Sequence, residues 1–314
     1  MQFPTISEVE RISRLEPPTG KVQMVLDTDT YNEVDDQFAV VQALLSPEKL
    51  DVLALYAAPF FNDRSAGPAD GMEKSYQEIL ALLERLDVPS DGFVFRGSDR
   101  YLPDWEHPVE SGAARDLIAK AMARSPEDDP LYVVAIGAIT NVASAILLQP
   151  EIIRRIVVVW LGGNAFHWPN TYEFNLWQDT QAARVIFDCG VPLVQLPCMG
   201  VVSHLHTTIP EIERYVAGQG AIGDYLAETV KGYHADHFGW SKVIWDIAAI
   251  SYLLDASWTP SCLVHSPIVT DQGTWSFDHN RHLIRTVYHV NRDPIFRDVF
   301  TNANTDKNLG MVVK

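Results

Sequence analysis

Val22-Gln23-Met24-Val25-Leu26-Asp27-Thr28-Asp29-Thr30-Tyr31-Asn32-Glu33-Val34-Asp35-Asp36 runs from a short apolar segment into an acidic turn, and a helix-patterned segment follows to Leu45. Val22–Leu26 has the largely apolar character of a strand buried on both faces. Five of the ten residues from Asp27 to Asp36 are acidic, and neither Lys nor Arg occurs between Val22 and Glu48. Carboxylates gathered where a buried strand surfaces repel one another unless protons or a cation neutralise them. Oxygen-only ligands suit a hard ion such as Ca²⁺ or Mg²⁺. Helix capping accounts for part of the run, with Asp35 and Asp36 in a first turn and Asp29 in the loop. It leaves the pairing of Asp27 with Asp29 unexplained.

The same strand-then-helix alternation continues along the chain. Val52–Ala57, Phe93–Phe95, Leu131–Ile136, Ile156–Trp160 and Leu193–Leu196 read as further strands. Asp35–Leu45, Glu73–Leu86, Ala113–Met122, Asn141–Leu148 and Asp179–Asp188 read as the helices between them. Pro210–Asp255 is mostly helical in pattern, strand-like pieces follow at Leu263–Val269 and Leu283–Val290, and a last helix covers Ile295–Ala303. Such alternation predicts a single Rossmann-like α/β domain over residues 1–314. Its central sheet is mainly parallel and flanked by helices, with a helical insertion in the C-terminal half. Ligands of such sheets bind at the carboxyl ends of the strands.

Composition narrows the partners. The 314 residues carry 24 Lys+Arg against 41 Asp+Glu, a formal charge of −17. No basic face is visible for nucleic acid or an anionic membrane surface. Cys189, Cys198 and Cys262 form neither a disulfide framework nor a thiolate zinc pattern, and no apolar leader or membrane-length run occurs. These features predict a cytoplasmic protein.

Three motifs compete for the acidic loop. An EF-hand starting at Asp27 needs Asp or Asn at 31, Gly at 32 and Glu at 38, where the chain has Tyr, Asn and Phe. Asp27-Thr28-Asp29 also resembles the nucleophile motif of haloacid-dehalogenase-type Mg²⁺ phosphatases, except at Tyr31. The third resemblance is to the Asp-x-Asp…Asp-Asp motif of the nucleoside hydrolases, whose turn is two residues shorter and carries Pro-Gly. Further blocks favour the last. Gly137-Ala138-Ile139-Thr140-Asn141 resembles that family's Gly-x-Leu-Thr-Asn segment. Gly162-Gly163-Asn164, Glu173-Phe174-Asn175, Asp179 and Ala182-Ala183 resemble its Gly-Gly…Glu-Phe-Asn…Asp-x-x-Ala-Ala stretch, and Asn62 and Trp245-Asp246 fall in family order.

The resemblance implies a hydrolase of purine or pyrimidine nucleoside salvage that cleaves the N-glycosidic bond of ribonucleosides to free base and ribose. It implies Ca²⁺ held by the carboxylates of Asp29, Asp36 and Asp246 and the main-chain carbonyl of Thr140, with Asp29 as general base for the ion's water. Asp35 and Asn175 would hold the ribose 2′- and 3′-hydroxyls and Glu173 the 5′-hydroxyl. Asn62 and Asp27 would support them, and Asn164 or Asn170 would be a further ribose contact. A homodimer or homotetramer is implied by the same resemblance. The chemistry agrees: carboxylates stabilise an oxocarbenium-like state, and a cation lowers the pKa of its water.

One departure bears on the substrate. Trp245 stands where many relatives have the His that protonates the leaving base, and an indole is only a hydrogen-bond donor. His167, His204, His206, His234 and His237 are candidate replacements. The last two lie in an aromatic loop, residues 233–240, able to stack on a base. Loss of that His also leaves open a nucleoside- or ribose-binding protein with reduced turnover. His204-x-His206 with His234-x-x-His237 raises zinc, without the Cys or His-Glu-x-x-His company such sites keep. Gly218–Gly223 matches G-x-G-x-x-G but follows a helix end, so it reads as a helix–helix turn. Trp160, Trp168, Trp177 and Trp240 divide between pocket wall and core.

Overall fold

The computed structural model describes residues 3–302. In chain order its strands are β1 (Val22–Thr28), β2 (Leu50–Ala57), β3 (Val94–Arg96), β4 (Leu131–Ala135), β5 (Ile156–Leu161), β6 (Leu193–Leu196), β7 (His206–Thr207), β8 (Lys242–Val243), β9 (Ser261–His265), β10 (Ile268–Val269), β11 (Trp275–Ser276) and β12 (Leu283–Val287). Its helices are α1 (Glu8–Leu15), α2 (Asp35–Leu44), α3 (Pro68–Arg85), α4 (Gly112–Met122), α5 (Thr140–Leu148), α6 (Phe174–Gln178), α7 (Thr180–Asp188), α8 (Ile209–Tyr215), α9 (Gly220–Tyr233), α10 (Ile247–Leu254) and α11 (Arg292–Asn302).

Eight strands form one sheet in the order β3-β2-β1-β4-β5-β6-β12-β9. All neighbours run parallel except β12 and β9, an antiparallel edge pair. The middle strands are apolar throughout because helices cover both faces: β4 and β5 are buried at every position. One core layer includes Met24, Leu26, Val134, Val159 and Phe38 of α2. The opposite layer includes Val25, Val133, Val158, Trp160 and Ile146 of α5. This is the mainly parallel α/β fold that the alternation predicts, with α8, α9 and α10 filling the C-terminal half between β6 and β9.

The departures are local. β1 continues through Asp27 and Thr28, which pair with Tyr56 and Ala57 of β2, so Asp27 is a strand residue rather than a loop residue. The ladder tolerates it because Asn141 supplies a hydrogen bond inside the sheet. Helix α3 begins at Pro68, well before Glu73, since Pro at a first helical position needs no N–H partner. The polar N-terminus contains α1, capped by Ser7, whose Oγ accepts from the N–H of Glu10. Gly218–Gly223 spans the α8–α9 turn, with Gly218 and Gly220 in the left-handed region. The last residue of the predicted final helix, Ala303, lies outside the described residues. No helix among the described residues is long and apolar enough to cross a membrane.

Chain order around β1 and β4 puts the site where it is. From β1 the chain proceeds toward β2 and β3, and from β4 toward β5 and β6, so the loops diverge and leave a crevice at the carboxyl ends. Phe38 anchors α2 beneath that crevice and is almost fully buried. Truncation by Phe38→Ala is expected to cost about 3–5 kcal/mol in urea-induced unfolding, and a loss under ~1 kcal/mol would contradict this packing.

Candidate active site

Asp27, the last buried carboxylate of β1, accepts from Asn141 Nδ2 at 2.7 Å through Oδ1, while its Oδ2 has no partner. Burial pushes its pKa up to about 7, against the pull of the Asn141 bond. Asp29 follows the strand and lies against the β4–α5 turn. A methyl group on Gly137 would sit 2.9 Å from Asp29 Cγ and Oδ1, so only glycine admits the approach. Trp160, fully buried in the core, braces that turn by donating from Nε1 to the Gly137 carbonyl at 3.1 Å.

Asp35 and Asp36 open α2, where the helix N-terminus favours negative charge. Thr28 Oγ1 donates to Asp36 Oδ1 at 2.5 Å, and the Trp245 N–H donates to Asp35 Oδ2 at 3.1 Å. Asp246 precedes α10, which packs on α2. One oxygen each from Asp35, Asp36 and Asp246 lies within 4.8 Å of the others, the only such metal-capable group among the described residues. Burial, then repulsion by neighbouring carboxylates, holds Asp29, Asp36 and Asp246 well above the usual carboxylate range. Burial raises Asp35 too, with Lys242 pulling the other way. An all-oxygen, charge-rich and uncompensated cup, with Asp29 Oδ2 also unpartnered, fits a hard divalent cation.

These groups form one end of a cavity of about 240 Å³. Asp29, Asn32, Glu33, Asp35, Asp36 and Asp246 line that end, and Glu173 and Asn175 face in from the loop after β5. Glu173 caps α6: its carboxylate accepts from the N–H groups of Gly163 (2.8 Å), Asn175 (2.9 Å) and Leu176 (3.0 Å). Burial raises its pKa and those N–H groups restrain the rise. Asn175 Nδ2 donates to the carbonyls of Ile136 (3.1 Å) and Leu161 (3.0 Å), tying the ends of β4 and β5 together. Tyr172, Phe174, Met199 and Trp245 supply an apolar wall.

The other expected residues stand outside the cavity lining. Asn62 donates from Nδ2 to Asn32 Oδ1 at 2.6 Å, so it meets the cavity through Asn32. Thr140 is fully buried at the start of α5, its hydroxyl donating to Asp179 Oδ2 at 2.7 Å. Asn164 donates to the Asn170 carbonyl and accepts from the Met199 N–H, while Asn170 Oδ1 accepts from the Tyr172 N–H. Both hold loops together. His237 Nε2 lies 3.1 Å from the Lys231 carbonyl, and His234 stacks on Trp240. His204 pairs with the Val290 carbonyl and His206 with Ser241, so these imidazoles do not converge as zinc ligands. Trp168 and Trp177 are exposed, Trp240 packs with its neighbouring histidines, and Trp245 alone of the tryptophans lines the cavity.

Cys198, Met199 and Lys242 were not among the expected site residues. The first two follow β6, another strand carboxyl end, where the same rule would have found them. Lys242 has no local signal. It is a buried cation brought in by the β7–β8 ladder, and it ion-pairs with Glu33.

The sequence profile of the inosine-uridine preferring nucleoside hydrolases matches residues 24–297. The pyrimidine-specific ribonucleoside hydrolase RihA of Salmonella arizonae is 29% identical over 260 residues, covering 74% of this chain and 79% of that protein. RihA of Citrobacter koseri is 30% identical over 227 residues, covering 64% and 69%. Among solved structures, the purine-preferring ribonucleoside hydrolase from Gardnerella vaginalis superposes with a TM-score of 0.73 at 20% identity, over 90% of this chain and 98% of that one. A plant nucleoside hydrolase gives 0.71 at 21%, covering 90% and 99%.

Raised carboxylates fix the sign of a pH effect. Between the ordinary value of 3.8 and about 7, Asp27 stays protonated when folded and ionises when unfolded, and the acidic cup extends the effect upward. The folded state then binds more protons, so metal-free stability falls as pH rises through that window. Thermal unfolding in chelator should show Tm falling from pH 5 to pH 8, with added Ca²⁺ restoring more at pH 8. A Ca²⁺ gain that is larger at pH 5 would contradict the assignment. Gly137→Ala should weaken Ca²⁺ binding at least tenfold, a change of about 1.4 kcal/mol, by displacing Asp29.

Proposed function

We propose that this chain, which belongs to the inosine-uridine preferring nucleoside hydrolase family, uses Ca²⁺ and Asp29 to hydrolyse the N-glycosidic bond of ribonucleosides to free base and ribose. The observation that carries the mechanism is a single cavity lined by Asp29, Asp35, Asp36 and Asp246 together with Glu173 and Asn175, in which oxygens of Asp35, Asp36 and Asp246 come within 4.8 Å of one another. Asp29, Asp36 and Asp246 would hold the cation with the Thr140 carbonyl. Bound there, the ion would make a ligated water more acidic and bind vicinal hydroxyls. Asp29 would take the proton of the attacking water, its carboxylate ionised once cation charge offsets the neighbouring carboxylates that raise its pKa.

Asp35, whose carboxylate accepts from the Trp245 N–H, and Asn175, whose amide donates to two carbonyls, would hold the 2′- and 3′-hydroxyls. Glu173, ordered by three backbone N–H groups, receives the 5′-hydroxyl. Asp27, Asn62, Asn164 and Asn170 support the cup and the loops. As the bond to the base lengthens, the carboxylates stabilise positive charge on the sugar. Trp245 stacks on the base and supplies no acid, and His237 reaches it only if the 234–240 loop closes. The match over residues 24–297 leaves the phosphatase alternative without support. We read residues 1–314 as one cytoplasmic domain that assembles as a homodimer or homotetramer, a reading supported by the family resemblance and the lack of a disulfide pattern.

The test is ribose release from inosine, uridine and other nucleosides in Ca²⁺. Asp29→Asn should lower kcat by about 10²–10⁴-fold, the usual weight of a positioned acid–base group. Nucleoside binding without release by the native chain would overturn the hydrolytic reading and establish a binding protein.

A further inference from the structure

We infer that Glu33 reads the nucleobase, accepting a hydrogen bond from an in-plane ring N–H, so that the preferred nucleosides are those whose base carries one. This rests on the N-glycosidase reading above. Glu33 belongs to the turn that runs two residues longer than the family pattern. It lines the cavity yet stands outside the group formed by Asp35, Asp36 and Asp246.

Its position is set by a segment distant in sequence. Lys242, 8% exposed, pairs with Glu33 Oε2 and sits on β8, just ahead of Trp245. The same lysine lies over the Tyr233 ring at 5.1 Å. Arg64 Nη1 donates to the carbonyls of Asn32 and Glu33, both at 3.3 Å, and Asn62 holds the Asn32 side chain. The lengthened turn is thereby held in place, and its carboxylate is drawn toward the Trp245 segment, where the base belongs.

An ionised carboxylate is acceptor-only. Asp35, Asn175 and Glu173 are already matched to the three ribose hydroxyls, so the donor left for Glu33 is on the base. A base without that donor forgoes a charge-assisted hydrogen bond and leaves unmatched the acceptor capacity that Glu33 keeps beyond its pairing with Lys242, in the cavity it shares with Trp245 and Met199. An acceptor gives no help to electron density building on a departing base. Its effect therefore falls on KM and leaves kcat largely alone.

The experiment compares inosine, which has the ring N–H, with purine riboside, which lacks it, on the native enzyme and on Glu33→Gln. Tm and Ca²⁺ affinity serve as checks on folding and on the acidic cup. Expected is a KM for inosine lower by about tenfold or more than for purine riboside in the native enzyme, shrinking to about threefold or less in Glu33→Gln. Lys242→Met, which removes the anchor and keeps the carboxylate, should shrink the same ratio and serves if Glu33→Gln does not fold. An unchanged ratio in the folded variants, or no discrimination by the native enzyme, overturns the inference. Failure of the native enzyme to release ribose from either nucleoside overturns the N-glycosidase reading instead.

Discussion

Repulsion among carboxylates gathered in a desolvated crevice is the constraint that the rest of this molecule answers. Asp27, Asp29, Asp35, Asp36 and Asp246 are all nearly or fully buried. An isolated buried carboxylate is costly, and several together are tolerated only with protons, hydrogen bonds or a cation. Asn141 serves Asp27, Thr28 serves Asp36, and the Trp245 N–H serves Asp35. The shortfall that remains is the electrostatic demand that a divalent ion meets.

That demand is anchored by the parts of the fold least able to move. Asp27 lies within the sheet, paired with Tyr56 on one side and Ala135 on the other. Trp160 locks the turn that presses on Asp29, and Asn175 bridges the ends of β4 and β5. Oxygen donors on such a frame cannot spread apart to relieve their repulsion. Stability is surrendered there for a site preorganised toward positive charge, whether on an ion or on a sugar losing its base.

The cavity joins two kinds of lining. The clustered carboxylates suit a hard cation. The wall of Tyr172, Phe174, Met199 and Trp245 suits a flat ring. Trp245 is part of that wall, and Lys242 pairs with Glu33, a further carboxylate of the lining.

The α/β layout, the central strands and the acidic strand end were legible in the sequence because each is local. A buried parallel strand is an unbroken apolar run, and carboxylates just beyond it are conspicuous. The order of the blocks from Asp27 to Asp246 was also enough to recognise the family. Contacts between distant segments were not legible. No pattern near residue 242 announces that its lysine will meet Glu33, and none near 62 says that Asn62 acts through Asn32. The difference between Asn175, inside the cavity, and Asn164, tying loops beside it, lies in how the ends of β4, β5 and β6 are brought together. Local periodicity specifies which elements form, whereas the chemical neighbours of a side chain depend on strand order and loop packing, which only the tertiary structure decides.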